Sequence, residues 1–326
     1  MALTRRSAWI RRFFAWMNER FPPALIVINF IIFITVLYFA RLMNGTDAVE
    51  WDMFGDTIGF LAFYSVPFML RVFDEHKDYA IDMHNHPNRV LQRGLITLKD
   101  LRIVCAIAIV YQLVVSATLD QEFGSITNIW VLVLIYSLLM AIEFFCGEWL
   151  EQHIFIYAFS HQLISPLIVY WVVCMGARKG FMGLGDIGWL LVLSFFGGFA
   201  YEISRKMKTP EQERNTIDTY TKAFGTTVAP WMALILLLLT SLVMLALLEQ
   251  LGEKAPISEW WSYGVIGLFV LMAIPFLQFS AEPRIELVKR MEGAAGLVLV
   301  VNHLILFGAV TKVATAIELS KMAGGS

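Results

Sequence analysis

Asp74, Asp78 and Asp82 recur every four residues in FDEHKDYAIDMHNHPNRVLQRG, residues 73–94, with Glu75 three residues ahead of Asp78. On one continuous helix each aspartate is turned by only ~40° from the last and set ~6 Å further along the axis, so the carboxylates share a stripe. Like charges so placed repel, and the stripe requires cations. Carboxylates completed by water and phosphate oxygens are the ligands Mg²⁺ prefers. Arg89 and Arg93 follow, with guanidinium forks suited to a phosphate. The competing reading is a solvated loop neutralised by His76 and Lys77. The regular aspartate repeat at the mouth of an apolar run favours the metal site.

A second polar segment, YEISRKMKTPEQERNTIDTYTKAFG, occupies residues 201–225. Glu202 and Lys206 share a helical face with Tyr201 and Arg205 beside them; Pro210 stops the helix, and Glu211, Glu213 and Asp218 follow. Alone this segment reads as a solvated connection. Two such segments on one face can close over a single polar head group.

The elements that must position them are apolar. The chain has 326 residues, 58% hydrophobic and 16% charged, with a mean hydropathy of +0.66, which sets it apart from water-soluble globular proteins. Runs long enough to approach the roughly 20 residues that cross a bilayer recur at 22–43, 53–72, 102–119, 127–146, 154–176, 188–204, 226–248, 260–279 and 293–316. The expectation is a single all-α domain over 1–326, a transmembrane bundle of nine helices. Asp56 and Pro67 interrupt the second run, and His161 and Pro166 the fifth.

Positive charge stays on the cytoplasmic side of short loops. With a cytoplasmic N terminus, that side carries Arg5, Arg6, Arg11, Arg12 and Arg20, then Arg71, Lys77, Arg89, Arg93, Lys99 and Arg102, then Arg205, Lys206, Lys208, Arg214 and Lys222, and finally Arg284, Lys289 and Arg290. The other side carries Arg41, Arg178, Lys179, Lys254 and Lys321, and the C-terminal Ser326. Both polar segments therefore face the cytoplasm, in the cell (inner) membrane. The net charge of −2 implies no nucleic-acid surface. Residues 1–21 lack a continuous apolar centre and a small-residue cleavage site, and their arginines and aromatics suit an amphipathic interfacial helix. Cys105, Cys146 and Cys174 fall within the apolar runs without metal-type spacing and read as packing residues.

The two polar segments resemble those of the UbiA superfamily of intramembrane prenyltransferases. The family's first motif, N-D-x-x-D-x-x-x-D, is similar to DEHKDYAID: Asp74 stands for Asn, Glu75 for Asp, and Asp78 and Asp82 are unchanged. HPNRVLQRG then resembles the family's H-P-x-R-P-x-x-x-G segment through His86, Pro87, Arg89, Arg93 and Gly94. The second motif, commonly N-x-x-R-D-x-x-x-D, departs: Glu202 replaces Asn, Arg205 is kept, Lys206 replaces the first Asp and Pro210 the second. The resemblance implies nine helices, Mg²⁺ as cofactor and a polyprenyl diphosphate as substrate. Asp74, Glu75, Asp78 and Asp82 are then the expected metal ligands, with Glu202 and Asp218 as replacement carboxylates. Asp78, Asp82 and Glu202 are the expected catalytic residues, and Arg89, Arg93, Arg205 and Lys206 the diphosphate contacts.

The implied reaction is ionisation of the prenyl diphosphate and transfer of the prenyl group to an acceptor. The DE-x-KD opening and the altered second motif also resemble the superfamily's membrane-bound terpene cyclases, which act on the diphosphate alone. Phe63, Tyr64, Tyr157, Phe196 and Phe199 are aromatic faces for a carbocation. CDP-alcohol phosphatidyltransferases also place D-x-x-x-D in a membrane, but after a D-G-x-x-A-R segment this chain lacks. An ion-coupled transporter is a further alternative, through intramembrane polar residues such as Glu143, His161, Asn302 and His303.

Overall fold

A computed structural model describes residues 3–45, 49–120, 124–178, 180–214 and 218–324; Lys179 and Ser326, used above in the charge count and the topology, lie outside them. The described residues form the helices α1 (Trp9–Arg20), α2 (Ala24–Met43), α3 (Gly55–Lys77), α4 (Tyr79–Asn85), α5 (Leu98–Leu119), α6 (Ser125–Ala141), α7 (Gly147–Glu151), α8 (Ile154–Gln162), α9 (Ile164–Ala177), α10 (Leu184–Arg205), α11 (Tyr220–Gly252), α12 (Trp260–Ala281) and α13 (Ile285–Gly324). No strand occurs among them.

Among the described residues eight helices are long and apolar enough to cross a membrane, α8 and α9 counting as one run, and α6 is a shorter apolar helix. Hydrocarbon offers no partners to a free backbone amide, so each segment satisfies its hydrogen bonds internally. Thr97 accepts from the Asp100 amide at 3.1 Å while the Asp100 carboxylate accepts from the Thr97 amide at 2.9 Å, which starts α5. α6 stops at Ala141, short of the expected 127–146, because Glu143, Phe144 and Phe145 all take left-handed φ angles of 51°, 52° and 61°. Cys146 is consequently an exposed residue of the following turn, not part of a span, whereas Cys105 and Cys174 are buried.

Neighbouring helices pack in a closed ring from α2 through α3, α5, α6, α9, α10, α11, α12 and α13 back to α2, with α2 against α9 and α10 against α13 across it. Small residues permit the close crossings: a side chain at Gly176 on α9 would lie 2.7 Å from the Leu37 carbonyl oxygen of α2. At the end carrying the two polar segments the core divides. One apolar cluster includes Trp16, Phe68, Val72, Leu91 and Leu101, and a second includes Phe199, Tyr220, Phe279, Leu287 and Val298. α1 belongs to the first: Trp16 is fully buried and packs edge-on against Phe68 at 5.8 Å.

Candidate active site

Residues 73–94 do not form one continuous helix. α3 ends at Lys77, Asp78 sits at φ −90°, ψ 4°, and α4 begins at Tyr79. The amide of Asp78 still reaches the Asp74 carbonyl and that of Asp82 the Asp78 carbonyl, each at 2.8 Å, so the ladder bends without being lost. The shared stripe expected for the acids divides into two sets with different partners.

Glu75 and Asp82 belong to arginines. Glu75 is fully buried, and its Oε1 accepts from Arg20 of α1 at 2.6 Å and from Arg71 at 3.2 Å. Asp82 Oδ2 accepts from Arg89 Nη1 at 2.6 Å and from Arg20 Nη2 at 3.4 Å, with Arg71 at 3.9 Å. The repulsion that the spacing leaves to a metal is here relieved by guanidinium groups, one of them brought in by the N-terminal helix.

Asp74 and Asp78 are left for the mouth. The nearest cation to Asp74 is Lys77, at 4.0 Å. Asp78 has no ion pair among the described residues. Burial first, then the charges of Asp74 and Asp82, hold its carboxyl above the usual carboxylate range against the pull of Lys77. Lys77 Nζ donates to the Tyr157 hydroxyl at 2.6 Å and lies 3.3 Å from Glu143 Oε1. His161 stacks on Tyr157 at 4.1 Å and 10°, and its Nε2 is buried without a hydrogen-bond partner among the described residues. Asp74, Lys77 and His161 line a cavity of about 20 Å³, room for one water-sized group.

The left-handed turn at 143–145 is what swings Glu143 onto Lys77. Each non-glycine residue in that region costs roughly 1–2 kcal/mol, and such turns persist only where surrounding contacts over-determine them. Here Phe144 packs edge-on against Tyr136 at 5.4 Å and His161 at 5.7 Å, while Glu143 is held by its ion pair.

Across the mouth, the end of α10 carries the second polar group. Glu202 accepts from Arg205 Nε at 2.6 Å and pairs with Lys206 Nζ at 2.9 Å. One carboxylate against two cations leaves this end positive, and both cations act electrostatically on Asp74.

The other expected site residues have the following contacts. Both oxygens of Glu202 are engaged by cations. Asp218 pairs with Lys222 at 3.0 Å and is largely exposed. Arg89 is committed to Asp82, and Arg93 is exposed. Among the described residues no three His, Cys, Asp or Glu side chains converge as a metal group, and five of the six carboxylates lie within 4.0 Å of a protein cation, Asp74 at the limit of that range. Phe63 is buried against Phe33, and Phe199 packs among Phe155, Phe159 and Phe195, so both serve the core. Tyr64 packs against Phe21 and Phe60, and Phe196 against Phe195. The intramembrane polar residues also separate. Glu143 and His161 join the mouth, whereas His303 donates to the Leu299 carbonyl within α13 and the Asn302 amide is buried without side-chain hydrogen-bond partners among the described residues.

The remaining donor chemistry fits Mg²⁺. That ion demands few protein ligands, keeping water and binding through one or two carboxylates plus phosphate oxygens. The Asp74 and Asp78 pair, weakly compensated and at the edge of the bilayer, is such a donor set. Sequence reasoning missed Arg20 and Arg71 as counter-charges to Glu75. Arg71 was legible, four residues before Glu75 on one helix face; Arg20 was not, because its contact depends on how α1 docks.

No protein-family model matches the chain, and no curated protein matches it. Two solved structures do. One is a digeranylgeranylglyceryl phosphate synthase of membranes, with a TM-score of 0.65 and 15% identity over 93% of this chain and 99% of that one. The other is the apo form of a UbiA homolog from Aeropyrum pernix K1, with a TM-score of 0.59 and 14% identity over 87% and 96%. The chain is an integral membrane protein with the fold of these proteins, the fold that the resemblance of its two polar segments implies.

Proposed function

We propose that the chain is an intramembrane enzyme that ionises a polyprenyl diphosphate at the polar mouth between α3 and α10 and transfers the prenyl group to an acceptor. The observation that carries this reading is the pairing of Asp74 and Asp78 on one side of the mouth with the net-positive end of α10 on the other, at the place where the apolar core divides. The polar mouth suits a diphosphate, and the apolar interior below it suits a prenyl tail.

Arg205 and Lys206 take the diphosphate, and Glu202 holds both cations in place. Arg89, which pairs with Asp82, and Arg93 are further diphosphate contacts in this reading. Asp74 and Asp78 are the residues that would hold Mg²⁺, which when bound neutralises the diphosphate and stabilises charge developing on it. Glu75 positions the motif through Arg20 and Arg71, and Asp218 lies outside this set. The allylic C–O bond breaks with its electron pair leaving on the diphosphate. The acceptor then attacks the cation and loses a proton, which His161 Nε2 is placed to take beside Asp74. The excess of Lys and Arg in the segments on this side supports a mouth that faces the cytoplasm.

A second reading, a terpene cyclase acting on the diphosphate alone, is favoured by Lys206 where the prenyltransferase motif has an acid. The purified protein in lipid nanodiscs, given Mg²⁺ and geranyl, farnesyl or geranylgeranyl diphosphate, separates the two. Diphosphate release with hydrocarbon products and no acceptor supports the cyclase; release and prenylated product only on addition of a membrane extract supports transfer. Asp78→Ala is expected to abolish release in either case. Absence of release from all three substrates, with and without extract, refutes the proposal.

A further inference from the structure

A groove of about 460 Å³ runs between α3, α5 and the end of α6, outside the mouth and facing where the bilayer would lie. Its volume is that of a small-molecule site. Its walls are apolar, with Val72 and Phe73 from α3 and Ala106 and Ile109 from α5, and its rim carries His76, Lys77 and Arg102. One feature separates this rim from an ordinary lipid-facing crevice: Arg102 is exposed and forms no ion pair among the described residues. His76 is turned inward, its Nδ1–H donated to the Val72 carbonyl at 2.8 Å, and adds no charge that would compete for the rim. An unmatched guanidinium above an apolar slot is complementary to a molecule with an oxyanion head and a hydrocarbon tail.

Phe73, Lys77 and Ala141 line this groove and also the small cavity that holds Asp74 and His161. These three residues together separate the two spaces. We infer that the groove is a binding site for an anionic amphiphile that enters from the bilayer, its head held by Arg102 and its chain laid between α3 and α5. This assignment rests on the groove alone and stands whether or not the diphosphate reading does.

The test uses the full chain in phosphatidylcholine nanodiscs, with two photoreactive probes of the same alkyl chain, one ending in a phosphate and the other in phosphocholine. Crosslinked peptides are mapped by mass spectrometry. The alkyl phosphate should label residues 102–109 about fivefold more than the phosphocholine probe, the discrimination one basic residue provides near a membrane surface. Arg102→Gln should bring the two probes level, and Ala106→Trp should block labelling by both. Equal labelling of the wild-type protein by the two probes would mark the groove as annular lipid and overturn the proposal, as would a phosphate preference that survives Arg102→Gln. The wild-type comparison requires no variant to fold. A separate measurement of pyrophosphate binding with Mg²⁺ reports on the mouth, so failure of either idea is read independently.

Discussion

Glu75→Gln distinguishes a residue that holds the motif in place from one that binds metal. The Glu75 side chain is fully shielded, and its Oε1 lies 2.6 Å from Arg20 Nε, whose own side chain is 9% exposed. Neutralising the carboxylate leaves Arg20 with only Asp82, at 3.4 Å, and Arg71 with Asp82 at 3.9 Å. Removing one member of a buried ion pair costs about 3–5 kcal/mol. With Asp82 still present and an amide oxygen still able to accept, the expected loss is about 2–3 kcal/mol. It should be concentrated where α1 meets α3, because Arg20 is the charged tie between them. Hydrogen exchange in nanodiscs should show faster exchange in Trp9–Arg20, and thermal unfolding a lower midpoint. Pyrophosphate binding in Mg²⁺ should change by less than about threefold, whereas Asp78→Asn should weaken it at least tenfold, roughly 1.4 kcal/mol. If Glu75→Gln loses pyrophosphate binding as fully as Asp78→Asn while α1 keeps its protection, the division of the acids into two sets is wrong.

Lys206→Ala should lower the rate of diphosphate release strongly, and Lys206→Asp should do no better except at high Mg²⁺, where an added carboxylate can recruit metal; full activity in both variants would remove the phosphate role. Phe145 is exposed at φ 61°, so Phe145→Gly should raise the unfolding free energy by about 1 kcal/mol, and an unchanged or lower melting temperature would show that the turn is not strained. At the other end of the bundle, hydrogen bonding to Arg178 holds the Asp52 carboxyl below its usual range. A depressed folded-state value means stability present above the unfolded-state value and lost as pH falls through the folded-state one. The wild-type protein should therefore lose melting temperature on acidification more steeply than Asp52→Asn, and identical slopes would refute the pairing.

The sequence by itself determined the class of solvent the chain folds in, because apolar runs of bilayer length leave the backbone no option but helices. It also located the polar mouth, since the two charged segments are the long polar interruptions on the arginine-rich side. The aspartate repeat was legible as a site of concentrated charge. What neutralises each acid was not. Spacing states which carboxylates are near one another along one helix, but counter-charges arrive from any element that docks there, and Arg20 and Glu143 come from α1 and from the turn after α6. The reach of α6 was misjudged for a related reason. Hydropathy continues through Phe144 and Phe145, and only the tertiary contacts of Glu143 and Phe144 hold the backbone in a left-handed turn that no local propensity favours. Charge compensation in a low-dielectric interior is a property of three-dimensional neighbours, and only the packed bundle decides which acids remain free for a ligand.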